Sequence, residues 1–140
     1  MPESGSLTVR CVGALVFDSR GRLLLIQRAH DPEAGRWSLP GGRVEPDETD
    51  AQALRRELLE ETSLLVTVGD RIGSVQRYVG KTTLDIHDYR CLRFSGELRP
   101  GDDAADATWV DHATLITMNA AGQLSNGLYE FLTGHNVLPG

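Results

Sequence analysis

The order of apolar and polar residues predicts strands towards both ends of the chain and a long helix between them. Residues 8–17 are mostly apolar and rich in β-branched side chains, residues 18–21 have the composition of a turn, and residues 23–27 are apolar again. This arrangement predicts a β-hairpin. Further strand-like runs, separated by Gly, Asp and Pro clusters, occupy residues 64–68, 72–79, 84–94 and 107–110.

The middle of the chain predicts a loop followed by a helix. A proline and two glycines within residues 37–42 disfavour regular structure and let the backbone approach another group closely. Strong helix formers then predict a helix over about residues 47–63, and a second, amphipathic helix is predicted at residues 126–132. Because no repeat or linker interrupts the pattern, residues 1–140 are expected to form one domain of α/β (α+β) class with a mixed β-sheet.

The composition is that of an ordinary globular protein, with 40% apolar and 24% charged residues among 140. A net charge of -6 argues against nucleic acid as a partner, because binding to the phosphate backbone depends on clustered Lys and Arg. No apolar run is long enough for a signal peptide or a membrane span, so we expect a cytoplasmic protein without membrane association. Cys11 and Cys91 lie in apolar stretches and are expected in the core.

Three glutamates share one side of the predicted helix. A turn of about 100° per residue places Glu57, Glu60 and Glu61 within an arc of roughly 100°, beside an apolar arc. Like charges at these spacings repel one another, and the nearby carboxy end of the helix also disfavours negative charge. A bound divalent cation would offset both effects, and Mg²⁺ prefers oxygen ligands of this kind. The alternative is a solvated charged flank, which is common on helices.

The spacing of residues around these glutamates resembles the signature of a known family. Gly42 is followed after five residues by Glu48, and Arg56 and Glu57 follow after seven more. With the positions that come next, the segment resembles the Nudix box, G-x5-E-x7-R-E-U-x-E-E-x-G-U with U aliphatic, the signature of the Nudix hydrolases. The resemblance implies an α/β/α sandwich with a mixed β-sheet. The departure is Ser63, where the family has Gly, and there we expect a different exit from the helix.

The resemblance also implies a role for several residues of this segment. Mg²⁺ is the implied ion, with Mn²⁺ as the alternative. The implied metal ligands are three carboxylates and one backbone carbonyl, those of Glu57, Glu60, Glu61 and Gly41. Arg56 is similar to the arginine that orients a glutamate of the box, although a surface pair between Arg56 and Glu60 would make the same contact. Glu48 is expected to be a supporting residue.

Two carboxylates are candidates for the general base. The implied reaction is attack of water on a pyrophosphate bridge, aided by metal ions that neutralise phosphate oxygens and lower the pKa of a bound water. Glu57 is the first candidate for accepting the proton, and Asp103, six residues before Trp109, is the candidate outside the box. A solvated Asp103 in an acidic turn is an equally good interpretation. The candidate catalytic residues are therefore Arg56, Glu57, Glu60 and Asp103.

Substrate recognition is less well defined by the sequence. Arg28, Trp37 and Tyr78 are candidates for contact with a base or a phosphate, although a structural role fits each of them better. The segments flanking the box resemble the bacterial ADP-ribose pyrophosphatase branch, which implies hydrolysis of ADP-ribose, or a similar small nucleotide, to AMP and ribose 5-phosphate. The alternatives are a nucleoside triphosphate pyrophosphohydrolase and a non-catalytic nucleotide-sensing module. The oligomeric state stays open, with a homodimer as one alternative.

Overall fold

The structure is a computed structural model that describes residues 7–101 and 104–140. Within these residues the chain forms seven strands and three helices, which confirms the predicted mixed class. In chain order the elements are β1 (Leu7–Leu15), β2 (Leu23–Arg28), β3 (Trp37–Ser38), β4 (Gly41–Arg43), α1 (Asp50–Thr62), β5 (Leu65–Val79), β6 (Thr82–Ser95), β7 (Ala104–Val110), α2 (His112–Ala120) and α3 (Leu128–Gly134).

The larger of two sheets contains four strands in the order β4-β1-β6-β5. β1 and β6 run parallel and the other two pairs are antiparallel, so this sheet is mixed, as predicted. In its register, Gly13 of β1 lies between Gly41 of β4 and Asp88 of β6. Strand pairing therefore brings together three positions that are far apart along the chain.

The predicted hairpin of residues 8–17 and 23–27 is wrong in its pairing. The segment that follows β1 meets β2 at the single bridge between Phe17 and Leu23, and β2 then joins a second sheet with the order β3-β2-β7. The physical reason is burial, because the consecutive residues Leu23 and Leu24 are both fully buried. Successive strand residues point to opposite faces, so β2 needs cover on both sides, which a simple hairpin does not give.

Two clusters of buried apolar side chains hold the elements together. The first joins α1 to the larger sheet and includes Leu54. The second joins β2 and β7 to α2 and α3 and includes Leu115. Cys11 and Cys91 are buried with free thiols, which confirms their expected place in the core.

The helices differ from the prediction at their ends. α1 begins at Asp50, later than predicted, because Thr49 caps it. The Thr49 hydroxyl accepts a hydrogen bond from the Gln52 backbone N–H, and the Gln52 side chain accepts one from the Thr49 N–H. α3 begins at Leu128, two residues later than predicted. α2 is absent from the prediction because its Thr and Ile residues are equally typical of a strand.

β5 is one continuous strand where the sequence predicts two, at residues 64–68 and 72–79. Its register against β6 shifts three times between Thr67 and Gly73. Each shift changes which face of the sheet the following residues point to. The sheet face to which each residue in the second half of β5 points therefore does not follow from simple alternation along the first half.

Ser63 ends α1 in the left-handed conformation, with φ 64° and ψ 14°. The expectation of a different helix exit is therefore wrong, because the serine adopts the conformation that a glycine would take most easily. Its backbone N–H bonds the Leu59 carbonyl at 3.1 Å, and its hydroxyl donates to the Arg99 carbonyl at 3.2 Å. These contacts hold an L-residue in a conformation that costs roughly 1–2 kcal/mol.

No helix in the described ranges is both long enough and apolar enough to cross a membrane.

Candidate active site

The guanidinium group of Arg56 lies at the centre of a network of charged groups. It donates two hydrogen bonds to Glu48, of 2.7 and 2.8 Å, and one of 2.9 Å to Glu57. Another of 3.0 Å reaches the Arg43 carbonyl. The bonds from Arg56, together with one from the Glu45 N–H, lower the pKa of Glu48 to about 2. Arg56 is thus held in place by Glu48 while it contacts a glutamate of the box.

Glu60 lies at the edge of this network. Its carboxylate is 3.5 Å from the Arg56 guanidinium, which is longer than the contacts to Glu48 and Glu57, and its side chain is 48% exposed. A contact between Arg56 and Glu60 is expected both for an arginine that orients a glutamate of the box and for a surface ion pair. The shorter contact to Glu57 supports the interpretation in which Arg56 orients a glutamate of the box.

Two glycines form the other side of the site. The Gly41 N–H donates a 2.8 Å hydrogen bond to the carboxylate of Glu61, which is only 5% exposed. The Glu57 carboxylate packs against Gly42, where a Cβ atom would lie 2.6 Å from Glu57 Oε1. A Cβ at Gly41 would lie 2.0 Å from the Val12 carbonyl oxygen. A larger residue at Gly42 would displace the Glu57 carboxylate, and one at Gly41 would displace the loop from the backbone of β1.

These residues suit a hard divalent cation, but the three glutamates do not by themselves form a complete metal site. Across residues 7–101 and 104–140, no group of three or more His, Cys, Asp or Glu side chains is arranged to hold a metal ion. Mg²⁺ in phosphate-handling sites is commonly bound by one or two carboxylates, with substrate phosphates and water completing the shell. Glu57 and Glu61, which both approach the glycine pair, offer that smaller set. The full ligand set with Glu60 and the Gly41 carbonyl stays a prediction.

Asp103, the candidate base outside the box, lies outside the described residues. The described chain before it ends at Gly101, whose N–H donates to the Glu61 carbonyl at 2.9 Å. A Cβ at Gly101 would lie 1.6 Å from the Glu60 carbonyl oxygen, so this glycine packs directly on the end of α1.

A cleft of about 310 Å³ adjoins the glycine pair. Its walls come from β1, β5, β6 and the start of α3, so it lies against the face of the larger sheet opposite α1. Residues that line it include Arg28, Gly41, Gly42, Val75, Arg77, Ile86, Asp88 and Phe131. One end of the cleft therefore lies at the two glycines that contact Glu57 and Glu61, and apolar side chains form part of its walls.

The candidate substrate residues have different positions relative to this cleft. Arg28 lines it and donates a 2.7 Å hydrogen bond to the Pro32 carbonyl. Trp37 packs against the second core cluster, and its backbone bonds the loop before α3. Tyr78 is 74% exposed and points away from the face on which its neighbour Arg77 lines the cleft. Among these three candidates, the structure brings only Arg28 to the cleft.

Asp88 is a cleft residue that sequence reasoning missed. It is 5% exposed, and burial raises its pKa to about 6, with His87 and Arg77 opposing the rise. A Cβ at Gly13 would lie 2.1 Å from Asp88 Oδ1, so the glycine leaves room for the carboxylate. The sequence does show an acidic residue inside a predicted strand. Its position at the cleft depends on the pairing of β6 with β1, which the sequence pattern does not predict.

Residues 7–132 match the family model described as the NUDIX domain. The chain belongs to the Nudix hydrolase family. Its resemblance to the Nudix box is thus confirmed, and Glu48, Arg56, Glu57, Glu60 and Glu61 are residues of that box. As a Nudix hydrolase, it is an enzyme that cleaves phosphoanhydride bonds in small nucleotide substrates.

Two curated relatives and one solved structure illustrate the range of this family. The chain is 46% identical over 108 residues to the putative 8-oxo-dGTP diphosphatase 2 of Mycobacterium tuberculosis, covering 74% of this chain and 72% of the relative. It is 40% identical over 95 residues to the CTP pyrophosphohydrolase of Escherichia coli, covering 67% and 70%. The crystal structure of a MutT protein from Methanosarcina mazei has the same fold, with a TM-score of 0.82 at 24% identity over 94% of this chain and 95% of that one.

Proposed function

We propose that this Nudix hydrolase is a cytoplasmic, Mg²⁺-dependent pyrophosphohydrolase of nucleoside triphosphates. Water would break the bond between the α and β phosphates and give a nucleoside monophosphate and pyrophosphate. The names of the relatives from Mycobacterium tuberculosis and Escherichia coli, a diphosphatase and a pyrophosphohydrolase of nucleoside triphosphates, support this substrate class.

The observation that carries the proposal is the size and position of the cleft. Its volume of about 310 Å³ is near the lower end of the usual range for ligand pockets, ~300–1,000 Å³. It adjoins Gly41 and Gly42, which contact the box glutamates and where the phosphates would bind. A nucleoside triphosphate has one nucleoside to place beyond its phosphates, and the cleft has room for one. ADP-ribose carries a sugar group on both sides of its pyrophosphate.

The residues of the box would divide the chemistry between them. Mg²⁺, or Mn²⁺ in its place, supplies charge neutralisation of the phosphate oxygens and a lower pKa for the attacking water. Glu57, Glu60 and Glu61 would hold the ion together with the Gly41 carbonyl. The 2.9 Å bond from Arg56 orients Glu57, which is the proposed acceptor of the water proton, with Asp103 as the alternative.

ADP-ribose is the second candidate substrate, which reverses the order expected from the sequence. The segments flanking the box resemble the ADP-ribose pyrophosphatase branch, and this resemblance is the observation in its favour. The non-catalytic sensor has no comparable support, because the relatives are enzymes and the charged residues of the box are all present.

A substrate panel with product analysis tests the proposal. The protein is incubated with Mg²⁺ and, separately, with the common ribo- and deoxyribonucleoside triphosphates, 8-oxo-dGTP and ADP-ribose. We expect pyrophosphate and the monophosphate from at least one triphosphate, at a higher kcat/KM than for ADP-ribose. AMP and ribose 5-phosphate from ADP-ribose, without pyrophosphate from any triphosphate, would overturn it. Glu130→Gln, an exposed glutamate on α3, is the matched control for variants of the box.

A further inference from the structure

The carboxylate of Asp88 has bonding capacity that the protein does not use. The side chain is 5% exposed, yet no hydrogen bond or ion pair within residues 7–101 and 104–140 involves its oxygens. In that part of the chain, every side-chain oxygen or nitrogen fully sealed from solvent has a partner. The Asp88 oxygens have none, so they are not sealed, and the space they reach is the cleft that the residue lines.

The surrounding strands are built to accommodate this carboxylate. Gly13 lies opposite Asp88 on β1, and a Cβ there would lie 2.1 Å from Asp88 Oδ1. Leu39 lies on the other side of the same space, 3.9 Å from that Cβ position. A glycine at this point of a strand is unfavourable for the strand itself, so its close fit to the carboxylate accounts for its presence.

Asp88 lies about the length of one nucleoside from Gly41 and Gly42, the glycine pair where the phosphates of a substrate would bind. Gly13 separates it from Gly41 in the sheet, so two strand spacings, about 10 Å in total, lie between the backbones of Gly41 and Asp88. A phosphate bound at the glycine pair would place its sugar or base beside Asp88. The apolar walls at Val75 and Ile86 suit the flat face of a base.

The charge of Asp88 selects the kind of group that it would contact. A buried carboxylate accepts hydrogen bonds and repels phosphate, so its fitting partner is a neutral N–H or O–H donor. Leaving such a group without a donor in the complex is unfavourable, and sites built on a buried polar group reject analogues that lack the matching partner. Arg77 and His87 both oppose the rise in the pKa of Asp88, and they act through space and not through a hydrogen bond.

We propose that Asp88 is a specificity-determining residue, whose carboxylate accepts a hydrogen bond from a neutral N–H or O–H donor on the nucleoside of the substrate. The inference rests on the proposed function in one respect, that the substrate is a nucleotide whose phosphates bind at the glycine pair. The donor is an amino or imino group of the base, or a hydroxyl group of the sugar.

Paired substrates test this role, because the two members of each pair offer different donors. GTP and ITP differ in one amino donor alone, and each ribonucleotide and its deoxy form differ in the 2′-hydroxyl alone. CTP and UTP, and likewise ATP and ITP, exchange an amino donor for a ring N–H donor at the neighbouring position. We expect the wild-type enzyme to prefer one member of at least one pair, the member whose donor faces Asp88, by tenfold or more in kcat/KM. In Asp88→Asn, which can itself donate, that preference should fall at least tenfold, and kcat/KM for a base that offers an acceptor should rise. The pair that responds identifies the source of the donor.

Two further measurements keep the test decisive. Binding of CMP, UMP, AMP, IMP and GMP, measured by calorimetry, gives the same ratios without turnover, so failure of the proposed reaction does not hide the result. Asp85→Asn, three residues away on β6, is the matched control and should leave every ratio unchanged. If Asp88→Asn folds cooperatively but changes all substrates and monophosphates by one common factor, or if the wild type discriminates within no pair, the role of Asp88 is overturned.

Discussion

Glu48 and Asp88 are both carboxylates near the active site, but the protein surrounds them in opposite ways. Glu48 accepts two hydrogen bonds from Arg56, and these lower its pKa to about 2. Asp88 accepts none from the described residues, and burial raises its pKa to about 6. A carboxylate whose bonds are satisfied stabilises the arrangement around it, whereas one left unsatisfied beside a cleft is available to a ligand.

The same contrast separates the two halves of the site. Around Arg56, charged groups hold one another at distances of 2.7 to 2.9 Å and fix the side chain of Glu57, the proposed base. In the cleft, glycine and apolar side chains leave space for a nucleoside. We therefore propose that chemistry and recognition are carried by different residues, which separate substitutions can distinguish.

The largest expected effect comes from the box glutamates. Glu60→Gln and Glu61→Gln should each reduce turnover at least a hundredfold and weaken Mg²⁺ binding, because each removes a ligand charge. Folding should stay cooperative in both, since the loss of charge also relieves repulsion on α1. Steady-state kinetics with a Mg²⁺ titration, alongside thermal unfolding, measure these effects. Wild-type activity in Glu61→Gln, with Glu130→Gln as reference, would contradict the role of the box.

The identity of the base gives the second prediction. Glu57→Gln should remove most activity across the pH range at saturating Mg²⁺, while Asp103→Asn should keep most of it. In the wild type, activity should rise from acid to mildly alkaline pH as the carboxylates lose protons. Comparison of the two pH profiles decides between the residues, and a severe loss in Asp103→Asn would move the base outside the box.

The buried charge of Asp88 gives the third prediction. Because its folded pKa of about 6 exceeds the ordinary 3.8, the folded state holds the proton more tightly, and stability is lost as pH rises from 3.8 through 6. The difference corresponds to about 3 kcal/mol at most. Asp88→Asn should therefore be more stable than the wild type at pH 8 by up to this amount, and little different at pH 4. Urea unfolding at both pH values measures it, and an equal effect at both would contradict it.

The smallest effect is expected at the end of α1. Ser63→Gly should stabilise the protein by about 0.5–1 kcal/mol, because glycine adopts the left-handed conformation without strain, offset by loss of the exposed bond to Arg99. Ser63→Ala is the control, since it loses the same bond and keeps the strain. Denaturant unfolding should rank glycine above serine and serine at or above alanine, with unchanged turnover; alanine equal to glycine would exclude strain as the cause.

The parts of the site that lie close together in sequence were predictable, and the parts that depend on strand pairing were not. Spacing of four residues along a helix is enough to place Arg56 beside Glu60, and Glu57 is its neighbour in sequence. Asp88 reaches the cleft through the parallel pairing of β6 with β1, which no local pattern reveals. Tyr78 follows the register shifts in β5, so its outward direction could not be read from alternation along the strand.

The division between chemistry and recognition is tested most directly by one set of kinetics. It compares kcat/KM for the best-discriminated donor and acceptor pair in wild type, Glu61→Gln and Asp88→Asn. We expect Glu61→Gln to lower both values by the same large factor and leave their ratio unchanged. Asp88→Asn should instead change the ratio at least tenfold. Two results would contradict the division. In the first, Glu61→Gln alters the ratio as strongly as Asp88→Asn does, and in the second, neither variant alters the ratio.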